Sequence, residues 1–148
     1  MQEIQLKIKK LLPEAKMPVY GSASAAGADL YALSDHAIRI GANETAVVHT
    51  GLAAEIPEGY VGLIFARSGL ATKKGLAPAN KVGVIDSDYR GEIRVALHNH
   101  SKYMQSIEPY ERVAQLVIMP YVFAHIVEAE ELSDTERGAG GFGSTGSK

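Results

Sequence analysis

The sequence predicts an all-β barrel or sandwich with at most one short helix. Two observations carry that expectation: apolar and polar residues alternate with period two along much of the chain, and β-branched runs are punctuated by Gly and Pro at regular spacing. A third observation sets the C-terminus apart, because five glycines (Gly138, Gly140, Gly141, Gly143, Gly146) crowd behind Arg137, where neither helix nor ordinary strand is expected. Taken in order, Ile4, Leu6 and Ile8 alternate with Gln5, Lys7 and Lys9 to give a first strand. Further strands are expected at Ala28–Leu33, Ala37–Ile40, Thr45–Ile56, Tyr60–Phe65, Lys81–Ile85, Gly91–His98, Tyr103–Ile107, Glu111–Met119 and Tyr121–Glu128. Gly41-Ala-Asn43, Pro57-Glu58-Gly59 and Pro109 supply turns between them. Alternation lapses at Ser68–Lys73, the one place where a turn or two of helix fits.

The 148 residues suit one domain, and 46% hydrophobic with 22% charged residues is the composition of an ordinary globule. The absence of cysteine removes disulfides, thiolate zinc sites and thiol nucleophiles, so chemistry must rest on hydroxyls, carboxylates, His, Lys or Arg. A net charge of −2 speaks against a general nucleic-acid binder, and the short apolar runs speak against a membrane span or signal peptide. The charge is nevertheless sorted. Ala66–Lys81 holds four basic residues and no acid, whereas Glu128–Glu136 holds five acids and no Lys or Arg.

Several segments can carry chemistry. Lys81–Val95 reads as a β-hairpin with Asp86 where the first strand meets the turn; beside Val84 and Ile85 its carboxylate is either a general base or an Asx-type turn residue. Free backbone groups together with the Tyr89 ring suit a flat heterocycle. Arg67-Ser68-Gly69, at a strand end, offers a guanidinium fork, a hydroxyl and a bare amide to phosphate oxygens, or is simply a capped turn. Asp29, an isolated acid opening an apolar strand, is a hard oxygen ligand of the kind Mg²⁺ takes through water, or an exposed edge carboxylate. Alternation puts Glu111, Val113 and Gln115 on one strand face and Arg112 with Ala114 on the other, with Arg112 read as half of a structural ion pair. His98 and His100 share a face but lack a third zinc ligand nearby in sequence. In the tail, Gly138-x-Gly140-x-x-Gly143 spells a dinucleotide fingerprint with no room for its helix, and Gly141-x-x-x-x-Gly146 is followed by Ser-Lys rather than Lys-Ser/Thr; neither motif stands. Composition leaves the tail as either a disordered end or an arm that orders over a ligand.

The order of these signals is more specific than any one of them. Ala26-Gly-Ala-Asp-Leu-Tyr-Ala32, Ala66-Arg-Ser-Gly-Leu-Ala71, Asn80 with Gly83-Val-Ile-Asp-Ser-Asp-Tyr-Arg-Gly91, Glu111-Arg-Val-Ala-Gln115 and Arg137-Gly-x-Gly-Gly-Phe-Gly-Ser-Thr-Gly146 resemble, in sequence, the five motifs of the trimeric all-β dUTP diphosphatases. The resemblance implies a jelly-roll-like distorted β-barrel over residues 1–136, a flexible arm over 137–148 that closes on the site, and a homotrimer with active sites at subunit interfaces. It implies Mg²⁺-dependent hydrolysis of dUTP to dUMP and pyrophosphate by attack of water on the α-phosphorus. The expected setting is the cytoplasm, with the nucleus open only to a eukaryotic protein. By the same resemblance Asp86 is the general base and Asp29 holds Mg²⁺ through water. Asn80, Gly83, Val84, Ile85 and Arg94 bind uracil, Tyr89 lies under the deoxyribose and Phe142 closes over the base. Arg67, Ser68, Gly69, Gln115, Arg137, Gly143, Ser144 and Thr145 bind phosphate. Ala66 stands where the family often has proline, and Tyr110 where it commonly has glycine. A dCTP deaminase-like enzyme of the same fold and a catalytically silent regulatory trimer are the alternatives; the Ile85–Tyr89 stretch speaks against the first and the retained Asp86 and tail against the second.

Overall fold

Alternation resolves into short strands whose inward-facing residues meet in a single core. The computed structural model describes residues 3–141. Along them run β1 (Lys7–Lys10), β2 (Val19–Tyr20), β3 (Ala28–Tyr31), β4 (Ile38–Ile40), β5 (Thr45–His49), β6 (Leu52–Glu55), β7 (Tyr60–Phe65), α1 (Ser68–Lys74), β8 (Leu76–Pro78), β9 (Gly83–Ile85), β10 (Arg94–Asn99), β11 (Gln105–Ile107) and β12 (Arg112–Pro120). All strand pairs are antiparallel, in a five-stranded sheet ordered β2-β3-β12-β7-β9, a three-stranded sheet β5-β10-β8, and the pairs β1-β6 and β11-β4. The all-β expectation with one short helix is borne out; the sheets are open rather than closed into a barrel.

Leu30, Ile40, Leu52, Leu76, Leu97, Ile107 and Leu116 are fully enclosed between the sheets, and each such side chain contributes about 1.5–3 kcal/mol by leaving water. Asn99 and Thr50 are the buried polar residues of the described chain, and Asn99 is the more enclosed. Its amide donates to the carbonyls of Ile40, Gly41 and Tyr103, and its Oδ1 accepts from the backbone and hydroxyl of Ser101, so its burial leaves nothing unpaired. The helix forms where β7 ends, and Lys73 and Lys74 in its last turn complement the negative end of its dipole.

Four expectations change. The single strand read over Thr45–Ile56 breaks into β5 and β6 because Thr50 turns inward to donate to Ile93 O at 2.5 Å and Gly51 takes a left-handed φ of 67°. Tyr121–Glu128 forms no strand. Pro120 has no N–H to extend β12, none of the described strands lies alongside residues 121–128, and Val122, Phe123 and Ile126 are 92%, 86% and 91% exposed. The short β2 and β8 escape the alternation signal, being two and three residues long. Finally, Lys81–Val95 is an arch rather than a hairpin: β9 pairs with β7 in one sheet while β10 pairs with β5 and β8 in another.

Candidate active site

Two clusters of chemically competent residues emerge, and β7 connects them. The first sits where β3, β12 and β7 run side by side, with Gln115 of β12 opposite both Asp29 and Phe65. Arg67, just past the end of β7, donates from Nε to Asp29 Oδ1 at 2.8 Å, and Arg112 donates from Nη1 to Asp29 Oδ2 at 3.1 Å. The Asp29 side chain is only 13% exposed, so its charge is largely answered by these two cations rather than by water. Two guanidiniums against one carboxylate leave the cluster with a surplus positive charge, which suits an anion. Gln115 Nε2 donates to Ala66 O at 2.9 Å and fixes the turn that presents Arg67. Because this contact uses the carbonyl of residue 66, alanine serves it as well as proline. Ser68 and Gly69 open α1 beside Arg67 and are exposed.

Arg112 is in an ion pair, as the sequence suggests, but on the face that strict alternation denies it. A register shift between Arg112 and Ala114 absorbs one residue, so Arg112 faces Tyr31 while Gln115 faces Asp29. Tyr31 and Asp29 lie two apart on β3 and share a face, and the bulge brings Arg112 and Gln115 to it together.

The second cluster fills the arch. A cavity of about 360 Å³ opens between its arms, lined by Asn80, Gly83, Val84, Ile85, Asp86, Tyr89 and Arg94 together with Ile64, Pro78 and Glu92. Every base, sugar and general-base residue expected before the tail lines this one space. Its wall includes β9, the edge strand of the five-stranded sheet, which pairs with β7 on one side only and turns unpaired backbone groups outward. Asp86 is exposed and Val84 is 63% exposed, so the apolar enclosure expected around the carboxylate is not provided by its neighbours in the strand. Glu92 is a residue the sequence reading passes over; the available signal is an acid set between Gly91 and the apolar start of a strand.

Asp86 and Arg67 lie toward opposite ends of β7, while Gly83 of the arch faces Ile64, next to Phe65. Ile85 faces Gly62 and Gln115 faces Phe65; Asp86 lies one step beyond the first pair and Arg67 two beyond Phe65, about six strand steps or roughly 20 Å in all. In the tail, Arg137 Nε donates to Gly140 O at 2.7 Å, within its own turn. Phe142, Gly143, Ser144 and Thr145 lie outside the described residues.

A family model described as dUTPase matches residues 13–146. The chain is also 56% identical over 143 residues to the deoxyuridine 5'-triphosphate nucleotidohydrolase of Nautilia profundicola, covering 97% of this chain and 99% of that one. The chain belongs to the dUTPase family. Its similarity extends to the enzyme of the same name from Hydrogenobaculum sp., 49% identical with 98% and 100% of the two chains covered. Among solved structures, the Staphylococcus bacteriophage 80alpha dUTPase with dUpNHpp superposes with a TM-score of 0.87 at 32% identity over 96% of this chain and 98% of that one. A variant of the dUTPase from S. aureus phage phi11, described with a structural Mg(II) ion, gives a TM-score of 0.77 at 27% identity over 86% and 98%. In this dUTPase Tyr110 adopts a φ of 60°, the left-handed conformation that glycine takes most easily, while its N–H donates to Ala32 O at 2.9 Å. The substitution for glycine therefore keeps the backbone path at the expense of strain.

Proposed function

We propose that this dUTPase hydrolyses dUTP to dUMP and pyrophosphate by attack of water on the α-phosphorus, with Asp86 as general base. The observation that carries the reading is the single cavity lined by Asn80, β9, Asp86, Tyr89 and Arg94. An edge strand offers alternating N–H donors and C=O acceptors, which match the acceptor-donor-acceptor edge of uracil. Cytosine, with an amino donor and a ring acceptor, leaves such groups unpaired, and a mismatch of that kind is strongly rejected. Gly83 and Ile85 face Ile64 and Gly62 across the sheet and form a close wall where the extra methyl of thymine would fall. Tyr89 packs beneath the deoxyribose.

Arg67, Ser68, Gly69 and Gln115 take phosphate oxygens, and the surplus cation around Asp29 supports that assignment. Residues 137–148 act as an arm, Phe142 covering the base and Arg137, Gly143, Ser144 and Thr145 holding the terminal phosphate. Asp29 suits Mg²⁺ only through water: both of its oxygens already accept from guanidiniums, and among the described residues there is no group of three or more side chains able to ligate a metal directly. When bound there with the triphosphate, Mg²⁺ supplies neutralisation of its charge.

Six residue steps, roughly 20 Å along the line of β7, separate Asp86 from Arg67, too far for the two side chains of one chain to meet at the α-phosphate of one nucleotide. That separation supports a homotrimer in which each site combines clusters from different copies. Val122, Phe123, Ile126 and Val127, all exposed on a segment with a strand-like sequence, supply apolar surface for such an assembly.

Hydrolysis in ¹⁸O-water tests the chemistry directly. Label appearing in dUMP supports attack at the α-phosphorus; label in pyrophosphate places attack on the β-phosphorus and rejects the scheme. The same assay on a chain lacking residues 138–148 tests the arm, which predicts lost turnover with the oligomer retained; undiminished turnover removes the arm from the mechanism.

A further inference from the structure

Glu92 lies at the return end of the arch with its side chain only 22% exposed, and each of its carboxylate oxygens has a partner. Its Oε1 accepts from Gly51 N at 2.8 Å, and its Oε2 lies 2.8 Å from His49 Nδ1. The next residue, Ile93, donates from its N–H to Leu52 O at 2.7 Å and accepts at its carbonyl from Thr50 Oγ1. Residues 92 and 93 are thereby fastened to all of 49–52, the break between β5 and β6. The left-handed turn at Gly51 explains why a side chain is needed: with φ at 67° its N–H leaves the strand ladder, and the Glu92 carboxylate meets it instead.

The Tyr89 ring depends on this anchor. Its hydroxyl donates to the backbone carbonyl of Glu92 at 2.9 Å, and the ring lies against Gly91 so closely that a Cβ there would come within 2.6 Å of Cζ. Residues 88–90 are otherwise exposed, and Tyr89 is itself 41% exposed, so no core packing holds the ring. The Tyr89 backbone is tied within the turn to Asp86 O at 3.2 Å, and the far end of the ring is fixed at residue 92.

We propose that Glu92, tied to His49 and Gly51, is a positioning residue that holds the Tyr89 ring against the sugar and so sets the preference for deoxyribose over ribose. The inference rests on the proposed packing of Tyr89 beneath the sugar. A 2′-hydroxyl adds a single heavy atom, so a ring free to withdraw by about an ångström no longer excludes it. Loosening the anchor therefore changes discrimination more than it changes turnover of the preferred nucleotide.

The experiment compares kcat/KM for UTP and dUTP in Glu92→Ala, Glu92→Gln, Tyr89→Phe and Tyr89→Ala, each in the full-length protein. Glu92→Ala and Tyr89→Phe are each expected to raise the UTP-to-dUTP ratio about tenfold, within the range by which one small group alters selectivity. Glu92→Gln keeps an oxygen for Gly51 N and is expected to retain the native ratio, while Tyr89→Ala loses most of the preference. A native ratio in folded Glu92→Ala, with the preference lost in Tyr89→Ala, overturns the positioning role alone, whatever Tyr89→Phe does. A native ratio in Tyr89→Ala overturns the sugar-facing reading and the inference with it. Should Glu92→Ala fail to fold, Tyr89→Phe decides, because it severs the ring from residue 92 and leaves the carboxylate contacts in place.

Discussion

Arg67 and Asp29, drawn from the end of β7 and the middle of β3, form a 2.8 Å ion pair in which the acid is 13% exposed. Arg112 completes the arrangement from the neighbouring strand, so the carboxylate organises two guanidiniums at once. Asp29→Asn removes the charge and keeps the size. It leaves both cations without their acid, and stability should fall by about 1.5–3 kcal/mol, the range for hydrogen bonds to charged groups. The Mg²⁺ concentration needed for half-maximal activity should rise in the same variant. Thermal melting and a Mg²⁺ titration check the two effects, and an unshifted titration argues against Asp29 as the metal's anchor.

Asp86→Asn should bind dUTP and scarcely hydrolyse it. Loss of a general base lowers rates by about 10²–10⁴-fold, and since Asp86 is exposed and holds up no core packing, the fold should be unaffected. Calorimetric binding together with pyrophosphate release measures both halves; turnover near the native rate removes Asp86 as the base.

Much of this was legible in the sequence, and the failures share a cause. β7 and α1 fall where the apolar run Val61–Phe65 and the lapse after Arg67 place them, because both signals are local. The cavity collects the residues named from motif order for the same reason: Asn80 to Arg94 are close in the chain. What alternation cannot supply is pairing between distant segments. It puts Arg112 on the wrong face because a bulge is invisible until β12 has β3 beside it, and it misses Glu92 because His49 and Gly51 are more than forty residues away. It reads a hairpin where the two arms join different sheets, and a strand at Tyr121–Glu128 where no described strand lies alongside.

Acid should weaken this protein partly through Glu92. Burial alone would push its carboxyl upward, but the hydrogen bonds from His49 and the Gly51 amide, with the charges of His49 and Arg94, outweigh burial and hold it below the ordinary value of 4.5. A group lowered in the folded state contributes stability that is present above its unfolded value and lost as pH falls through the folded one. Unfolding free energy measured from about pH 5 downward should therefore decline less steeply in Glu92→Gln than in the native chain. Parallel curves contradict the anchor's electrostatic part.

Tyr110 allows a comparison in which the lost ring cancels. Tyr110→Gly and Tyr110→Ala both remove the side chain, but only alanine keeps a Cβ at a φ of 60°. Glycine should be the more stable of the two by about 1 kcal/mol, the usual size of the left-handed penalty for a residue with a Cβ. Denaturant unfolding of the pair reads the difference, and equal midpoints show that the backbone relaxes there.

If the arch is the proposed reader of uracil on a deoxyribose, the protein must choose among nucleotides. The decisive assay incubates the purified protein and Mg²⁺ with dUTP, dCTP, dTTP and UTP separately and identifies every product. Expected are dUMP and pyrophosphate from dUTP, with the other three nucleotides cleaved at least about a hundredfold more slowly. Ammonia released from dCTP, or no turnover of dUTP, contradicts that role for the arch.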